Sequence, residues 1–541
     1  MKRIINTVLI VATLSSAAFT LNSCQDALDI TQAGELQEKD LYTNVANLKE
    51  VLNGSVYAQL DPMDEIYFTA VFTDEVKPGS ASGGQEYSLH RFFLDAASPV
   101  VTGGTVGTVG SDGIWLNNYR VINRVNRLLE GAKRITPSTD KEKDEYNAIL
   151  AQARAIRAYC YVQLEAYFSK DMKNPNELGV ILLKDVPSTD AQLPRAKNQD
   201  VYDFINADLD YARGILKYSA ASDQGARYFA DKGFVNAVTA RFNLYRGNTA
   251  LAKQYAKEVI DNSGLALTVA TPYQPSVAAP GVPPAVGTAA WNTAFYATAT
   301  SFNPYRNLWN DSSRGEIVFS LNRLPLGAGG SIGSKWNTNQ SQLNGSPMWF
   351  WGRNLYNMFQ SIPGDIRKYA YVDPTSKPNP NYATATAGNT RNDGLVVDKY
   401  PGKTATATRN DVKVFRLSEM YFIVAEAEVA AGNLSAAHDL IQKVREARNY
   451  QNAAVTPAYT NTQVAYADIL KERRVELALE GHRYLDLKRL AVAANVSMDR
   501  NATDDVIAVE NLENGDYRYT LPIPIKEMSA NPNIKQNDGY Y

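Results

Sequence analysis

The sequence predicts a mainly α-helical fold, in which tetratricopeptide-like helical hairpins form a scaffold that carries long irregular loops and small β-hairpins. Three observations predict it. Two segments share one hairpin pattern, most of the other patterned segments have apolar residues at helical spacing, and stretches rich in Gly, Pro and Asn interrupt them. Because a single hairpin cannot bury its own apolar stripe, several hairpins must pack together.

The repeated hairpin is the strongest of these signals. In residues 416–450, apolar residues fall on one helical face before Gly432 and again after it. The glycine suits the left-handed residue that ends a helix, and Asn433 with Ser435 is expected to cap the next helix. Residues 234–261 align on the same pattern with Gly247 at the turn. A small residue in each helix then occupies a matching position, which is typical of a repeat of roughly 34 residues.

The remaining elements follow from periodicity and turn residues. EIVFSL, residues 316–321, predicts a short strand, and Asn514-Gly515 predicts a hairpin turn between residues 506–509 and 517–521. Helices are predicted over residues 41–60, 115–129, 144–168, 201–216 and 468–492, the last interrupted near Gly481.

Composition excludes several classes of function. The chain has 541 residues, of which 45% are hydrophobic and 21% charged, and its net charge is −2. Such a balance gives no electrostatic basis for binding nucleic acid or an anionic membrane surface. The 2 cysteines and 3 histidines lie far apart in the sequence, so we expect no His/Cys metal site and no cofactor.

The N-terminus has the features of an export signal. Residues 1–23 combine a positively charged end with an apolar run that is too short to span a membrane. The run ends in Leu-Asn-Ser followed by Cys24, which resembles the lipobox of bacterial lipoproteins. The resemblance implies that Cys24 is lipidated and holds the protein on a membrane. Residues 25–38 are polar and are expected to form a tether.

The candidate ligand-binding residues are aromatic and amide side chains of the irregular segments. No charged residue occurs between Asp261 and Arg306, and prolines prevent regular structure there. A flat aromatic ring covers the apolar face of a sugar, while amides satisfy its hydroxyl rim. Each ring has packing against the scaffold as its alternative. We predict ligand contacts from Tyr87, Trp291, Tyr296, Trp336, Asn337, Trp349 and Trp351.

Two patterns raise the possibility of catalysis. Glu472, Glu476 and Glu480 share one helix face, but Arg473, Arg474 and Arg483 are interleaved with them. Alternating charges favour structural ion pairs that lower the carboxyl pKa values, the wrong direction for a general acid. Residues 329–333, GGSIG, match the nucleophile elbow without its strand–turn–helix context or a histidine partner. We therefore predict no catalytic residue.

Several segments resemble the SusD/RagB family of surface nutrient-binding lipoproteins. They are RLSEMYFIVAEAE, ERRVELALEGHRYLDLKRL and LPIPIKEMSANPNIKQNDGY, whose terminal Gln-Asn-x-Gly-Tyr is highly specific; ARAIRAYCYVQLEAYF, EIVFSL and the lipobox also fit. The resemblance implies a single SusD-like domain over residues 24–541. Its parts would be a helical region with the first repeat (24–261), a loop-rich ligand-binding region (262–410), and the second repeat with a closing segment (411–541).

The resemblance also implies a function. The protein would be a non-catalytic receptor, lipid-anchored at the surface of the outer membrane, that binds glycans and passes them to a SusC-like TonB-dependent transporter. One face of the scaffold would then be covered by that transporter, with the tether acting as a hinge. A RagB-like peptide receptor and, less favoured by the composition, a surface glycoside hydrolase remain the alternatives.

Overall fold

A computed structural model describes residues 41–84, 86–94, 111–270, 304–325, 327, 329–336, 347–373, 376–384, 392–403 and 406–540. The fold is mainly helical, as predicted. The helices are α1 (Val45–Val51), α2 (Met63–Phe72), α3 (Tyr87–His90), α4 (Ser111–Ala132), α5 (Asp140–Phe168), α6 (Asn198–Ile215), α7 (Lys232–Tyr245), α8 (Thr249–Asn262), α9 (Pro304–Trp309), α10 (Gly333–Trp336), α11 (Arg353–Gln360), α12 (Arg367–Tyr371), α13 (Leu417–Ala430), α14 (Leu434–Ala447), α15 (Thr462–Glu476), α16 (Arg483–Ala494) and α17 (Ile525–Ala530). The strands are β1 (Val76–Pro78), β2 (Leu178–Ile181), β3 (Arg195–Lys197), β4 (Ile317–Leu321), β5 (Trp349–Trp351), β6 (Gly402–Lys403), β7 (Thr406–Ala407) and β8 (Val412–Arg416).

The two predicted hairpin repeats are present as α7–α8 and α13–α14. Gly247 and Gly432 have φ of 76° and 80°, so each adopts the left-handed conformation that only glycine reaches without strain. The amide after each glycine donates to the carbonyl five residues earlier at 2.8 Å, which closes the helix end. The prediction that Asn433 caps α14 with its side chain is wrong. Its side-chain amide donates to the Glu428 carboxylate instead.

The scaffold continues across the loop-rich insertion. Helix α8 of the first repeat packs directly on α13 of the second, although about 150 residues separate them in sequence. Helices α4, α5 and α6 precede this pair and α15 and α16 follow it, each packing on the next. Small residues line the contacts, including Ala240, Ala252, Ala425 and Ala437, which are all fully buried. The insertion therefore projects from a continuous helical stack.

The described strands form four antiparallel pairs, β1–β5, β2–β3, β4–β8 and β6–β7. The strand predicted from EIVFSL is confirmed as β4, which pairs with β8 immediately before the second repeat. The hairpin predicted around Gly515 is wrong. Gly515 does turn the chain with φ of 82°, but residues 506–509 form no strand and Tyr517–Tyr519 is a 3-10 turn.

Helix α2 was not predicted, because its sequence lacks a polar face. Nine of its ten residues are buried, so apolar residues occur all around it and the 3.6-residue periodicity disappears. Its neighbour α1 continues as a π-helical turn over Leu52–Tyr57. The predicted interruption near Gly481 is confirmed, since this residue has φ of 83° between α15 and α16.

A buried network of charges joins the insertion to the second repeat. Arg416 at the end of β8 and Arg448 after α14 both contact Glu476, at 2.7 and 2.8 Å, and both contact Glu316, at 2.7 and 2.9 Å. Arg367 of α12 donates to Glu476 at 3.1 Å. All five side chains are at most 1% exposed. We call these five residues the buried charge network.

The prediction that the carboxylates of Glu472, Glu476 and Glu480 are structural is confirmed, although Glu480 lies in the turn after α15. Burial alone would raise the pKa of Glu476, but Arg448 and Arg416 outweigh it and hold that pKa well below its usual value. The pKa values of Glu472 and Glu480 are lowered in the same way. The partners we predicted were wrong, because residues adjacent in a helix point to different faces. Arg473, Arg474 and Arg483 pair instead with Asp486, Asp74 and Asp499.

Candidate ligand-binding site

The β1–β5 pair brings together two chain segments that carry predicted ligand-binding residues. Pro78 lies opposite Trp349, and Val76 lies opposite Trp351. Beyond the strands, the amide of Gly79 donates to the carbonyl of Met348 at 2.8 Å. The turn that carries Tyr87 therefore lies beside the segment that carries the two tryptophans, although about 260 residues separate them in sequence.

The structure corrects the predicted role of Trp349 and Trp351, which have no exposed surface. The Trp349 indole donates to the Tyr67 hydroxyl at 2.9 Å, and the Trp351 indole donates to the Tyr371 carbonyl at 2.9 Å. The Trp351 ring also packs edge-on against Phe359, with 4.9 Å between centroids. A ring that stacks on a sugar must offer a free face. These two residues are core residues.

Trp336 needs the same correction. It ends α10, is 1% exposed, and packs 5.5 Å from the Tyr67 ring. Close packing at the start of α10 fixes its position, since the Gly333 amide donates to the Thr408 carbonyl at 2.9 Å. Its ring therefore belongs to the same aromatic layer as Trp349, beneath the surface.

The other predicted residues are not contradicted. Trp291, Tyr296 and Asn337 lie outside the described residues, and their role stays a prediction. Tyr87 is half-buried; its hydroxyl lies 3.1 Å from the Ser82 hydroxyl, and the Arg91 guanidinium lies 4.8 Å from its ring centroid.

Sequence reasoning missed an aromatic ring with amides around it. Tyr382 is half-buried, and the Arg353 guanidinium stacks on its ring at 3.9 Å from the centroid. The Asn357 amide donates to its hydroxyl at 3.0 Å. Asn379 and Asn381 precede it in the sequence Asn-Pro-Asn-Tyr, which lies in a segment rich in Pro, Asn and Gly. That dense alternation of amides and a tyrosine was the available signal.

Further amides extend this surface. Asn354 donates to the Asp499 carboxylate at 2.8 Å, and Asn501 donates to the Asn354 carbonyl oxygen at 2.9 Å. Asn354 and Asn357 lie one turn apart on α11, so both face the same side of that helix. The surface formed by Tyr382 and these asparagines is called here the Tyr382 surface, and its members are Asn354, Asn357, Asn379, Asn381, Tyr382 and Asn501.

Buried ion pairs fix the Tyr382 surface from below. Arg353 forms a two-point contact with Asp393, and Lys77 of β1 donates to the same carboxylate at 2.6 Å. Asp393 also accepts from the Asn379 amide at 2.7 Å. Burial lowers the pKa of Lys77, although Asp504 and Asp393 act against it. Because one carboxylate positions a strand, a helix and a loop, the surface is held in one geometry.

A second carboxylate connects the ion pairs beneath the Tyr382 surface to the segment that carries Tyr87. Asp505 accepts from Arg91 at 2.9 and 3.0 Å and lies 3.3 Å from the His90 ring nitrogen. The preceding Asp504 accepts from the Arg353 amide at 3.1 Å. Burial lowers the pKa of His90 to about 4, so its ring is neutral at pH 7. The Tyr87 turn and the Tyr382 surface are therefore parts of one loop-rich end.

Most carboxyl groups with raised pKa values lie elsewhere in the interior, whereas beneath the Tyr382 surface burial raises the pKa of Asp504 to about 6. Burial raises the pKa of Glu65, Glu75 and Glu165 to about 8. Each is at most 3% exposed. The cavity beside Glu65 holds about 20 Å³, which is room for a water molecule and far too little for a sugar.

Ser331 of the elbow-like GGSIG segment hydrogen-bonds to Thr408.

A deep groove lies on a different part of the scaffold. It has a volume of about 1070 Å³ and runs between α1, α4, the segment after β2, and α17. Its wall is apolar at Leu41, Leu116 and Leu193, and three arginines of α4 line it. We call it the α1–α4 groove.

Among the described residues we find no cluster of His, Cys, Asp or Glu side chains suited to a metal ion. The same residues include no helix with the length and hydropathy of a membrane span.

Comparisons with known proteins give a consistent result. A family model described as "SusD family" matches residues 330–540, and one described as "Starch-binding associating with outer membrane" matches residues 38–244. SusD-like protein P2 of Formosa agariphila is 23% identical, with 96% of this chain and 97% of that protein covered. A SusD superfamily structure from Bacteroides thetaiotaomicron has a TM-score of 0.68 at 21% identity, covering 91% and 99% of the two chains. A laminarin binding SusD-like protein has a TM-score of 0.63 at 21% identity, covering 92% and 100%.

Proposed function

This chain belongs to the SusD/RagB family, and from that premise we propose that it is a non-catalytic glycan receptor at the surface of the outer membrane. It is anchored through a lipid on Cys24 and binds neutral glycans at its loop-rich end. It delivers them to a SusC-like TonB-dependent transporter. The family is one of starch- and glycan-binding proteins that associate with the outer membrane.

The Tyr382 surface is the observation that carries the ligand assignment. A pyranose ring presents apolar C–H faces and a rim of hydroxyls, so it needs an aromatic face beside several donors and acceptors. Tyr382 with its neighbouring asparagines provides both, and Arg353 with Asp393 fixes them in advance. Such preorganisation reduces the entropy lost on binding. The laminarin binding relative of similar fold supports the same ligand class.

The positions of the carboxyl groups support binding without chemistry. Glycoside hydrolysis needs two carboxyl groups that flank the scissile bond, and one of them must have a raised pKa. The carboxyls with raised pKa values, such as Glu65, Glu165 and Asp504, are buried, and the cavity beside Glu65 is too small for a sugar. The carboxylates near the Tyr382 surface, such as Asp393, are already engaged with arginine and lysine. They act as supports for the surface.

Calorimetric titration with a panel of neutral glycans tests the ligand class. We expect one or more β-glucans or starch-type glucans to bind with a Kd between about 1 μM and 1 mM, since handover to a transporter requires release. A library of short peptides is the matched comparison. Binding of peptides with no binding of any glycan would replace the glycan assignment with a RagB-like peptide receptor.

Isolation from outer membranes tests the transporter partner. The protein, tagged at its C-terminus and expressed in its native host, should bring down a β-barrel transporter under mild detergent. Replacing Cys24 with Ser should release the protein from the membrane fraction, because the anchor is then lost. Recovery of wild-type protein from the membrane without any barrel protein would contradict the partner assignment, and unchanged membrane association of Cys24→Ser would contradict the anchor.

A further inference from the structure

The α1–α4 groove lies where the described chain begins. Leu41 and Tyr42, the first described residues, line it directly. The segment immediately before them therefore starts at the groove. At about 1070 Å³ the groove is larger than the space one side chain fills, and Leu193 on its wall is 39% exposed. An open apolar groove of this size is typical of a site that receives another segment.

The charge on the groove is positive along one helix face. Arg120, Arg124 and Arg127 of α4 follow each other at four and three residues, so they form one row on the helix surface. All three are exposed. Arg120 donates to Asn117 at 3.4 Å and Arg124 donates to Ser55 at 2.9 Å, and both of these partners are neutral. Within the described ranges, no carboxylate forms an ion pair with Arg120 or Arg124.

The segment that precedes Leu41 has the complementary chemistry. Residues 25–40 read QDALDITQAGELQEKD, with five acidic residues and a single lysine. Apolar side chains at Leu28, Ile30 and Leu36 alternate with the acids. Sixteen residues reach up to about 50 Å when extended, which is enough to follow the groove along α4 from its Leu41 end.

We propose that residues 26–40 dock in the α1–α4 groove of their own chain. Leu28, Ile30 and Leu36 fill the apolar wall, and the acidic residues pair with the arginine row of α4. The segment is therefore an ordered part of the body, rather than the free tether that its polar composition predicts. If the lipid of the proposed function is present on Cys24, docking holds the membrane anchor beside the groove and shortens the reach of the hinge; this consequence rests on the proposed function, whereas the docking does not.

Hydrogen–deuterium exchange tests the docking in the full mature chain. The protein is residues 24–541 with Cys24→Ser, and the reference is a synthetic peptide of residues 25–40. We expect the amides of residues 27–38 to exchange about tenfold or more slowly in the protein than in the peptide. The protection should fall in 0.5 M NaCl, because exposed ion pairs are screened by salt.

A double variant, Arg120→Ser with Arg124→Ser, gives the specific control. Both side chains are exposed, so the fold is retained, and melting by circular dichroism verifies this. Exchange of residues 27–38 should approach that of the free peptide in this variant and stay protected in Arg134→Ser, an exposed arginine outside the groove. Exchange at the peptide rate in the wild type, or equal protection in the double variant, would overturn the proposal. Protection of residues 47–55 only on adding a glycan or a transporter would assign the groove to that partner and would also overturn it.

Discussion

Replacing Glu476 with Ala is expected to destabilise the protein by about 3–5 kcal/mol, because three buried arginines lose a carboxylate that they share. Arg416 and Arg448 both contact the Glu476 carboxylate within 2.8 Å, and neither side chain is more than 1% exposed. Arg448 would then keep Glu316 as its carboxylate partner among the described residues, whereas Arg416 would keep both Glu316 and Glu480. Since the network joins β4, β8, α14 and α15, its loss should loosen the insertion from the second repeat.

Urea unfolding monitored by circular dichroism measures the decrease in unfolding free energy. Glu446→Ala is the matched control, since Glu446 is exposed on α14 and its side chain accepts a hydrogen bond only from Gln442 within the described part of the chain. Its effect should stay within about 0.5 kcal/mol. A Glu476→Ala variant that loses less than about 1 kcal/mol, the value of a surface ion pair, would show that the network contributes no more than exposed charges do.

The buried charge network also makes the free energy of unfolding depend on pH in the acidic range. Arg448 and Arg416, acting against burial, hold the folded-state pKa of Glu476 well below 4.5, its ordinary value. A carboxyl with a depressed folded-state pKa contributes stability above its unfolded pKa and loses it as the pH falls. The gap in unfolding free energy between wild type and Glu476→Gln should therefore be widest near pH 7 and should narrow below pH 4.5.

Replacing Trp351 with Ala is expected to cost about 3–5 kcal/mol of stability while leaving the affinity for glycan unchanged. The ring has no exposed surface, it packs on Phe359, and its indole satisfies the Tyr371 carbonyl at 2.9 Å. Truncation opens a cavity and leaves that carbonyl without its donor. Trp351→Phe should lose less, because it keeps most of the apolar volume.

Tyr382→Ala should behave in the opposite way. The side chain is half-buried at the surface, so its removal should cost within about 1 kcal/mol of stability. Its ring forms the centre of the proposed site, so affinity should fall about tenfold. If Trp351→Ala instead remained stable and lost glycan affinity, the ring would belong to the site and its placement in the core would be wrong.

The scaffold could be predicted from sequence because its signals are local. A glycine in the left-handed conformation, small residues at helix contacts and a 3.6-residue period all lie within one hairpin, as at Gly247 and Gly432. Helix α2 shows where this fails, since a helix buried on all sides has no period to detect. The proposed division of the chain at residues 261 and 410 stays a prediction.

The site could be predicted only in part, because exposure depends on contacts that are distant in sequence. Trp349 and Tyr382 both lie in irregular segments, and nothing local distinguishes them. Pairing of β1 with β5 and the Tyr67 hydroxyl place Trp349 in the interior, whereas Arg353 holds Tyr382 at the surface. The partners of Glu476 are likewise distant in sequence, since Arg448 lies 28 residues away and Arg367 lies 109 residues away.

The Tyr382 surface is proposed to bind a neutral glycan without altering it. Its most direct test is calorimetric titration of the glycan selected from the panel into wild type, Tyr382→Phe and Tyr382→Ala, with chromatography of the glycan afterwards. We expect saturable binding by wild type, retained binding by Tyr382→Phe, about tenfold weaker binding by Tyr382→Ala, and glycan recovered at its original length. Equal affinity of Tyr382→Ala and wild type, or shortened glycan after incubation with pure protein, would contradict it.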